Sequence, residues 1–474
     1  MPAKPIPFVG APGQRGTGTT DQRYINVIFE INKNVAPGEY PANCIKRPGL
    51  ANSTQPPAGA ATGRGLYAWG ATGKIYSVFA DKIYSGVTDL GVTLAASTGR
   101  VWFWEQHVDT GTRQLIVSDG ADNYNITTAD AITQIDATDD ADYPAANLGC
   151  IVGLDGYVFQ AQSNGKIWNT DLNSAVAWTA TSYLTADTHG GDLEAMHKQK
   201  DQIIAFTKNR VEFFFNNGNP TGSPLLRIDQ NTLGFGIAHK NSLAFSGEIC
   251  CFVSENASDG DGARSVYMIA SLGKVTEIST PAISRFLAAE GTSISTCSAW
   301  MERVAGHLLY VLNLDSAERT FVYDIDSGLW CEWEAAAGGA KFNGIAATSL
   351  NGVVYVQDVA NGRVYTLSAT TYQDSGVTFS VTKQTSRSNF GSPNLKVEPS
   401  LDLIADTTTG TMSVAVSDDD FSNFTTVGTI DMSQKQKRIT RLGSFYARSH
   451  KFTYTQNAAY RAQAFVPDIK VGTG

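Results

Sequence analysis

One stretch decides the fold class: Gly73-Lys74-Ile75-Tyr76-Ser77-Val78-Phe79-Ala80-Asp81-Lys82-Ile83-Tyr84. Two runs rich in β-branched and aromatic residues flank a short polar turn, which is typical of a β-hairpin. Two other parts of the chain, Gly156–Trp168 and Gly352–Tyr365, repeat this order of strand, polar turn, basic residue, β-branched residue and aromatic residue. The copies lie several units of about 40–50 residues apart, which is the period of propeller blades.

Further strand pairs fill the intervals between these copies. Many of them are apolar on both faces, as expected for strands that lie between neighbouring blades. The pairs are Trp102–Trp104 with Gln114–Val117, Gln202–Phe206 with Val211–Phe215, Ile249–Val253 with Ser265–Met268, and Leu308–Leu312 with Thr320–Tyr323 followed by Trp330–Trp333. Only Ile283–Ala289 and a few similar pieces suit a short helix. The sequence therefore predicts an all-β chain whose residues 63–376 form a β-propeller of six to eight blades.

The two ends of the chain differ from this middle part. Residues 1–62 are rich in proline and contain one strand-like run, Tyr24–Phe29, which predicts an extended arm with a single strand. Residues 377–474 alternate strictly, as in Val377-Phe379-Val381 and Met412-Val414-Val416. Because this alternation buries one face and wets the other, it predicts a separate C-terminal antiparallel β-sandwich.

Composition and charge exclude several classes of function. The 474 residues include 36 Lys and Arg against 45 Asp and Glu, a net charge of -9, which does not suit general nucleic-acid binding. The sequence contains no apolar run long enough to span a bilayer, so we expect no membrane insertion. The six cysteines show no zinc spacing and are expected to be buried thiols made in a reducing cytoplasm.

Motifs for catalysis or cofactor binding are weak. The glycine-rich start does not follow a strand and open a helix, so it is not a phosphate-binding loop. The six histidines are scattered, and the loop Asp259–Gly262 is better explained as a hairpin turn than as a calcium loop. We therefore expect no catalytic residue, no cofactor and no metal site, and we expect the chain not to be an enzyme.

One basic set is a candidate contact site for a partner. The stretch between Asp431 and Asp468 contains no acidic residue. The basic set lies in this stretch and consists of Lys435, Lys437, Arg438, Arg441, Arg448 and Lys451. It predicts a patch for an acidic partner or DNA, with a solvated hairpin as the alternative. The acidic stretch Asp130–Asp142 is its counterpart, and in a ring of identical subunits the two patches would meet.

The segment Ser417–Phe424 resembles the Asp-box turn of sialidases, of other glycan-acting propellers and of many phage proteins. It departs from that pattern at Phe421, where glycine is usual, and at Phe424, where tryptophan is usual. Asp boxes are structural turns away from the active sites of those enzymes, so the resemblance predicts a hairpin and no catalysis.

Three N-terminal motifs together resemble the start of a family of phage tail proteins. They are Gln22–Val27, Lys46–Leu50 and Gly63–Leu66, and they lead directly into the hairpin at Gly73. The C-terminal segments Ser417–Phe424, Arg441–Gly443 and Phe452–Tyr454 are similar too. The family is that of the tail accessory factors of short-tailed bacteriophages, also called packaged-DNA stabilisation or nozzle proteins.

This resemblance implies a structural protein of the virion tail, made in the host cytoplasm. It implies a six-fold ring of identical chains beneath the adaptor ring on the portal. Such a ring extends the DNA channel, holds the genome until ejection and docks tail needles, spikes or fibres. DNA would pass through the lumen without sequence readout. Two alternatives remain open at this stage: a receptor-binding propeller that recognises glycans through its aromatic residues, and a propeller enzyme that acts on glycans.

Overall fold

The computed structural model describes residues 5–9, 22–31, 40, 42–107, 112–186, 192–219, 221–255, 263–270, 273–336 and 341–472. Within these ranges, seven sheets follow one another along the chain and form a β-propeller, and we number its blades 1 to 7 in chain order. Blade 1 consists of Gly63–Trp69, Lys74–Phe79, Lys82–Ser85 and Thr88–Thr93, and blade 2 of Trp102–His107, Arg113–Ser118, Asn123–Thr127 and Ile132–Ile135. Blade 3 consists of Asn147–Leu154, Tyr157–Gln162, Lys166–Thr170 and Trp178–Thr185. Blade 4 consists of Leu193–Gln199, Gln202–Thr207, Val211–Asn216 and Leu225–Arg227.

The remaining blades follow the same antiparallel plan with added strands. Blade 5 consists of Gly236–Ile237, Ala244–Ser246, Ile249–Glu255, Val266–Ala270 and Lys274–Glu277. Blade 6 consists of Ser298–Val304, His307–Leu314, Arg319–Asp324 and Leu329–Glu332. Blade 7 consists of Gly344–Leu350, Val353–Asp358, Val364–Ser368, Gly49–Thr54, Gln373–Asp374 and Val377–Thr378. The predicted propeller is therefore confirmed, and each strand pair predicted between the hairpin copies is present.

A strand from the start of the chain closes the ring. The innermost strands of successive blades contact each other in order, and blade 7 contacts blade 1. Gly49–Thr54 lies antiparallel to Val364–Ser368, with Leu50 opposite Leu367. Blade 7 thus combines five strands from late in the chain with one from early in the chain. The propeller is complete only when both parts are in place.

Glycine-containing turns connect the strands of several blade hairpins. Asp155-Gly156, Ala305-Gly306, Asn351-Gly352 and Ser375-Gly376 each have positive φ at both positions, between 51° and 91°. This is the geometry of type I′ turns, whose twist matches that of the flanking strands. Glycine adopts the second position without a steric penalty, because it lacks a Cβ. The hairpins predicted at Gly156–Trp168 and Gly352–Tyr365 are confirmed, because Tyr157–Gln162 pairs with Lys166–Thr170 and Val353–Asp358 pairs with Val364–Ser368.

Helical structure is scarce in the described part of the chain. The helix Pro281–Ala289 follows blade 5, and Thr280 caps it by accepting a hydrogen bond from the Ile283 N–H. It buries Ile283 and Leu287. Three short 3-10 turns complete the set, at Asp229–Asn231, Lys240–Ser242 and Gly291–Thr296. The short helix predicted at Ile283–Ala289 is present.

Two further sheets, which we call the C-terminal sheets, pack beside blades 6 and 7. The first contains Ile6–Pro7, Val27–Ile31, Ala42–Lys46, Lys396–Ala405, Lys437–Thr440, Ser444–Phe445 and Arg461–Val471. The second contains Arg23–Ile25, Val381–Gln384, Thr411–Ser417, Thr425–Asp431 and Ser449–Tyr454. Aromatic rings join the two, since the Phe452 ring centroid lies 5.3 Å from that of Phe465 and 5.2 Å from that of Phe8. The alternation predicted for Met412–Val416 is confirmed, because Met412, Val414 and Val416 are buried.

The N-terminal residues differ from the predicted extended arm. Residues 1–62 hold five described strands, so the prediction of a single strand there is wrong. Phe8 is fully buried between Phe452 and Phe465, which fixes the segment around it to the C-terminal sheets. Sheet membership also crosses both predicted domain boundaries, at 62/63 and at 376/377. Sequence periodicity missed this because it describes each strand alone and carries no information about which distant strand is its partner.

The strand Arg23–Ile25 joins blade 6 to the second C-terminal sheet. It runs parallel to Leu329–Glu332, with Ile25 opposite Glu332, and antiparallel to Val381–Gln384. Blade 6 and the second C-terminal sheet therefore form one continuous nine-stranded sheet. The bidentate pair of Arg23 with Glu332, at 2.9 and 2.6 Å, supports this seam.

Arg47 is the centre of the region where the N-terminal strands, blades 6 and 7 and the C-terminal sheets meet, which we call the Arg47 junction. Its side chain is fully buried, and its guanidinium donates five hydrogen bonds, to Asn26, Pro48 O, Glu334 O and both carboxylate oxygens of Asp374. The shortest joins Nη2 to Asp374 Oδ2 at 2.6 Å. All five N–H donors of the arginine are therefore used.

Aromatic rings cover the same guanidinium. Its carbon lies 3.8 Å from the Phe379 ring centroid, 4.9 Å from that of Phe342 and 5.5 Å from that of Trp333. Burial of a charge is tolerated when it is paired and hydrogen-bonded, and the rings add a cation–π attraction. The Arg47 junction thus connects segments that are distant in sequence through one charged group.

We expect Arg47→Met to lower the free energy of unfolding by about 3–5 kcal/mol, because it leaves the largely buried Asp374 carboxylate without its cation. Urea denaturation followed by tryptophan fluorescence measures this change. The matched control is Arg387→Met, which removes an exposed ion pair with Asp420 and should cost under about 1 kcal/mol. Equal effects of the two substitutions would contradict a structural role of the Arg47 junction.

Candidate functional site

The basic set predicted as a partner-contact patch does not form one continuous surface. Arg448 and Lys437 are buried, with 2% and 3% of their surface exposed. Arg438 is exposed but forms a bidentate pair with Asp402, at 2.7 and 2.6 Å. The prediction of a six-residue basic patch is therefore wrong for these three residues. Acidic residues that sequence spacing cannot place lie against Arg438 and Arg448, whereas Lys437 is buried against neutral groups of the protein.

Arg448 belongs to a buried charge cluster between strands of the two C-terminal sheets. Its Nε and Nη2 atoms donate to Asp418 at 2.8 Å, and its Nη1 donates to Glu398 at 3.0 Å. Glu398 is fully buried and also lies 3.0 Å from Nε2 of the buried His450. A buried carboxylate needs such partners, because burial alone would disfavour its charge. The cluster is thus structural and is closed to a partner.

Besides the acid-paired Arg438, three residues of the basic set lie at the surface. Lys435 and Arg441 are exposed, and Lys451 is half-buried with its ammonium 5.3 Å from the Phe424 ring centroid. Lys437 instead donates hydrogen bonds to Gln434 O at 3.0 Å and to Thr407 at 3.3 Å. A partner that contacts this region would therefore meet Lys435, Arg441 and the exposed part of the Lys451 side chain.

The acidic stretch Asp130–Asp142 lies at blades 2 and 3. Asp130 accepts hydrogen bonds from Lys74, Tyr76 and Ser85 of blade 1, so it ties blade 1 to blade 2. Asp140 accepts a hydrogen bond from the backbone N–H of Trp178 at 2.8 Å. Part of the predicted acidic counterpart is thus engaged within the chain.

The segment Ser417–Phe424 forms the predicted hairpin turn. It connects Thr411–Ser417 with Thr425–Asp431, and Asp420 and Phe421 adopt positive φ. Asp419 accepts hydrogen bonds from the side chain and backbone of Asn423 at 2.7 and 3.0 Å, and these bonds lower the pKa of Asp419. Its neighbour Asp418 pairs with Arg448, so the turn anchors the buried charge cluster.

The histidines and cysteines are spread through the cores. The described cysteines are buried and unpaired, as predicted, and burial raises the pKa of Cys44, Cys250 and Cys297 to about 12. Burial lowers the pKa of His197 to about 3.

His189 and the loop Asp259–Gly262 lie outside the described residues. In the described ranges, no helix is long and apolar enough to cross a membrane.

Within the described residues, one group of side chains has the spacing of a metal site. His307, Asp324 and Asp326 lie within 4.8 Å of one another. The side-chain atoms that could bind a metal already have partners in the protein. His307 contacts Asp324 at 3.0 Å, and Asp326 accepts a hydrogen bond from the Leu308 N–H at 2.9 Å. The hydrogen bond to Asp324 raises the pKa of His307. Hydrogen bonds within blade 6 thus explain why these three side chains lie close together.

A buried lysine beside the N-terminal strands was missed by the sequence analysis. Lys383 is 1% exposed, and its ammonium lies 3.4 Å from the centroid of the Tyr24 ring. Among the described residues, no group accepts a hydrogen bond from its Nζ atom. Burial lowers its pKa well below the ordinary value of 10.5. Only the strand pairing of Tyr24 with Lys383 reveals this environment.

We expect Arg448→Met to lower the free energy of unfolding by about 3–5 kcal/mol, because Glu398 would stay buried without its cation. Thermal and urea denaturation measure this loss. The control Lys435→Met removes an exposed charge from the same basic set and should leave stability within about 0.5 kcal/mol. If Lys435→Met were the more damaging change, the buried cluster would not be the structural element.

We expect Lys383→Met to stabilise the chain at pH 7 by about 1–4 kcal/mol, because an apolar side chain of similar length replaces a buried amine. The folded pKa lies below the unfolded value, so between the two the unfolded state binds more protons and the stability of the unmodified chain rises with pH. The gain from Lys383→Met should therefore shrink between pH 7 and pH 10. Denaturation at both pH values tests this, and a constant gain would contradict it.

Three solved structures share a distant likeness with this chain. Among solved structures, a streptogramin B lyase is 12% identical, with a TM-score of 0.42, and the match covers 67% of this chain and 98% of that chain. A virginiamycin B lyase from Staphylococcus aureus is also 12% identical, with a TM-score of 0.42 over 68% and 98% of the two chains. The RRP9 WD40 repeats are 9% identical, with a TM-score of 0.42 over 68% and 100%. Likeness this distant carries no argument about activity.

No curated protein matches the chain. The family model described as "Phage_stabilise: Bacteriophage P22 Gp10, beta-propeller" matches residues 44–372. This match begins inside the strand Ala42–Lys46, includes Arg47 and ends after the blade 7 strand Val364–Ser368. The chain therefore belongs to the bacteriophage P22 Gp10 family, a family of structural proteins of the phage tail.

Proposed function

We propose that this chain forms a ring of identical subunits in the phage tail. In this proposal the ring lies below the adaptor on the portal, extends the DNA channel as a nozzle, and retains the packaged genome until ejection. The observation that carries the proposal is the family match over residues 44–372, which includes the Arg47 motif that joins the propeller to the other strands. We assign no catalytic step to the chain.

The build of the chain suits a conduit that withstands pressure. Arg23–Ile25 bridges blade 6 and the second C-terminal sheet by backbone pairing on both sides. The buried Arg47 junction and the apolar core around Trp300, Trp333 and Phe342 connect the same parts. Close-packed sheets deform little, because interiors have low compressibility.

The charge of the chain suits DNA that slides through without sequence readout. The net charge is -9, and three cations of the predicted basic set are buried or paired with acids. Attraction to phosphates requires accessible Lys and Arg, so a channel wall with few accessible cations would retard DNA little. Retention of the genome would then depend on closure of the channel by a docked protein such as a tail needle.

Exposed apolar side chains offer a contact surface for other tail proteins. Leu395, Val397, Tyr446 and Val471 lie at one end of the first C-terminal sheet and are between 44% and 63% exposed. Their proximity follows from the register, because Lys396 pairs with Val471 and Val397 with Ser444. Exposed apolar groups of this kind suit protein contacts. We propose this end as a docking surface for the adaptor ring, a needle, a spike or a fibre.

We expect quantitative mass spectrometry of gradient-purified phage particles to find about six copies of this chain per portal ring, the count of a closed six-fold ring. The portal and adaptor proteins of the same particles provide the internal standard. Absence of the chain from particles, or a count that differs with preparation, would overturn the proposal.

A further inference from the structure

A cavity opens at the axis of the propeller. Its volume is about 620 Å³, and it lies where the innermost strands of blades 1, 2, 5, 6 and 7 begin. This volume is in the range of pockets that hold small molecules, which is about 300–1,000 Å³. Nothing in the proposed role of the ring requires such a cavity.

A stack of planar groups forms one wall of the cavity. The guanidinium of Arg100 lies 4.3 Å from the centroid of Trp102, and the Trp102 ring lies 6.4 Å from that of Phe245 at 21°. Phe245 in turn stacks on His197 at 4.2 Å. Phe245 is 38% exposed and lines the cavity, so the part of its ring that His197 and Trp102 leave uncovered is open to a ligand.

Arg100 is a cation with spare hydrogen-bond donors. Its Nη1 donates to Leu243 O at 2.7 Å, and among the described residues the groups that act on its charge are Cys150, Cys297 and Tyr310 rather than a carboxylate. By contrast, Arg64 in the same cavity wall donates to four backbone carbonyls, those of Ala80, Ala96, Thr98 and Gly99. An arginine has five donors, so Arg100 retains the capacity to bind a carboxylate.

The rest of the cavity is rich in hydroxyl groups and contains few acids. Ser97, Thr98, Ser295 and Thr296 are exposed at its edge. Asp315 is neutralised by Lys341 at 2.6 Å, whereas Glu302 accepts a hydrogen bond only from the Arg303 N–H among the bonds found in the described ranges. The cavity thus offers one cation, one carboxylate acceptor, hydroxyls and an exposed aromatic face.

From this combination we infer that the axial cavity binds a sugar acid, a carbohydrate unit that carries a carboxylate. The carboxylate would pair with Arg100, the flat C–H face of the ring would pack on Phe245, and sugar hydroxyls would donate to Glu302. Glu302 disfavours phosphate and polyanions such as DNA by like-charge repulsion, while it suits a ligand with one charge and several hydroxyls. This inference goes beyond the ring and does not depend on it.

Isothermal titration of the full chain with glucuronate, glucose and acetate tests the inference. We expect glucuronate to bind and glucose and acetate to bind at least about 10-fold more weakly, since each lacks one of the two recognised features. Equal binding of acetate, equal binding of glucose or no binding of glucuronate would each overturn the assignment.

Variants locate the site. Arg100→Gln and Phe245→Ala should each weaken glucuronate binding at least about 10-fold, while the control Arg113→Gln, an exposed arginine paired with Glu105, should leave it unchanged. Thermal denaturation verifies that each variant folds. Glu302→Gln distinguishes the ligand classes, because it should weaken a polyhydroxylated acid and strengthen a simple anion. Tighter glucuronate binding by Glu302→Gln, or unchanged binding by Arg100→Gln in a folded variant, would overturn the inference.

Discussion

A single buried guanidinium holds together the parts of this chain that sequence separates. Arg47 lies between strands from the N-terminus, the outer strand of blade 6, the closing strands of blade 7 and Phe379 of the following segment. Its charge is stabilised only while Asp374, Asn26 and the two carbonyl groups are in place. Since desolvation penalises an incompletely paired charge, the junction favours one relative arrangement of these segments over all others. Stability and geometry are therefore coupled at this point.

The strands at the start of the chain share sheets with strands from its second half. The first strands do not form a unit of their own but complete sheets whose other members come from the second half. Gly49–Thr54 closes blade 7, Arg23–Ile25 extends blade 6, and Ala42–Lys46 pairs with the last long strand. A sheet edge that is paired is no longer available for unwanted association. In the proposed ring, such protection would keep subunits from pairing through their sheet edges.

The sequence predicted local structure well and long-range structure poorly. The hairpin at Gly73 and its copies at Gly156 and Gly352 are present because strand propensity and turn chemistry agree there. The basic set was misjudged because Asp402, Asp418 and Glu398 reach Arg438 and Arg448 through strand pairing, which no local pattern records. Arg100 and Phe245 gave no signal, since a lone arginine and a lone aromatic residue are ordinary in strands. The motifs Lys46–Leu50 and Gly63–Leu66 were noticed as family features, and the structure gives their arginines a physical role, as hubs of hydrogen bonds to distant carbonyls.

The pairing of the first strands with the last one has a consequence for how the chain is made. Cys44 lies opposite Ala462 and Ile6 opposite Phe465, so the N-terminal strands leave the ribosome long before their partners exist. Until the end of the chain is synthesised, these strands and their apolar side chains stay without their native neighbours. Contacts of such long sequence separation slow folding and prolong the exposure of sheet edges. The first C-terminal sheet is thus completed only after Arg461–Val471 has been translated, and a chain truncated before Val364 lacks both the ring closure and the Arg47 junction.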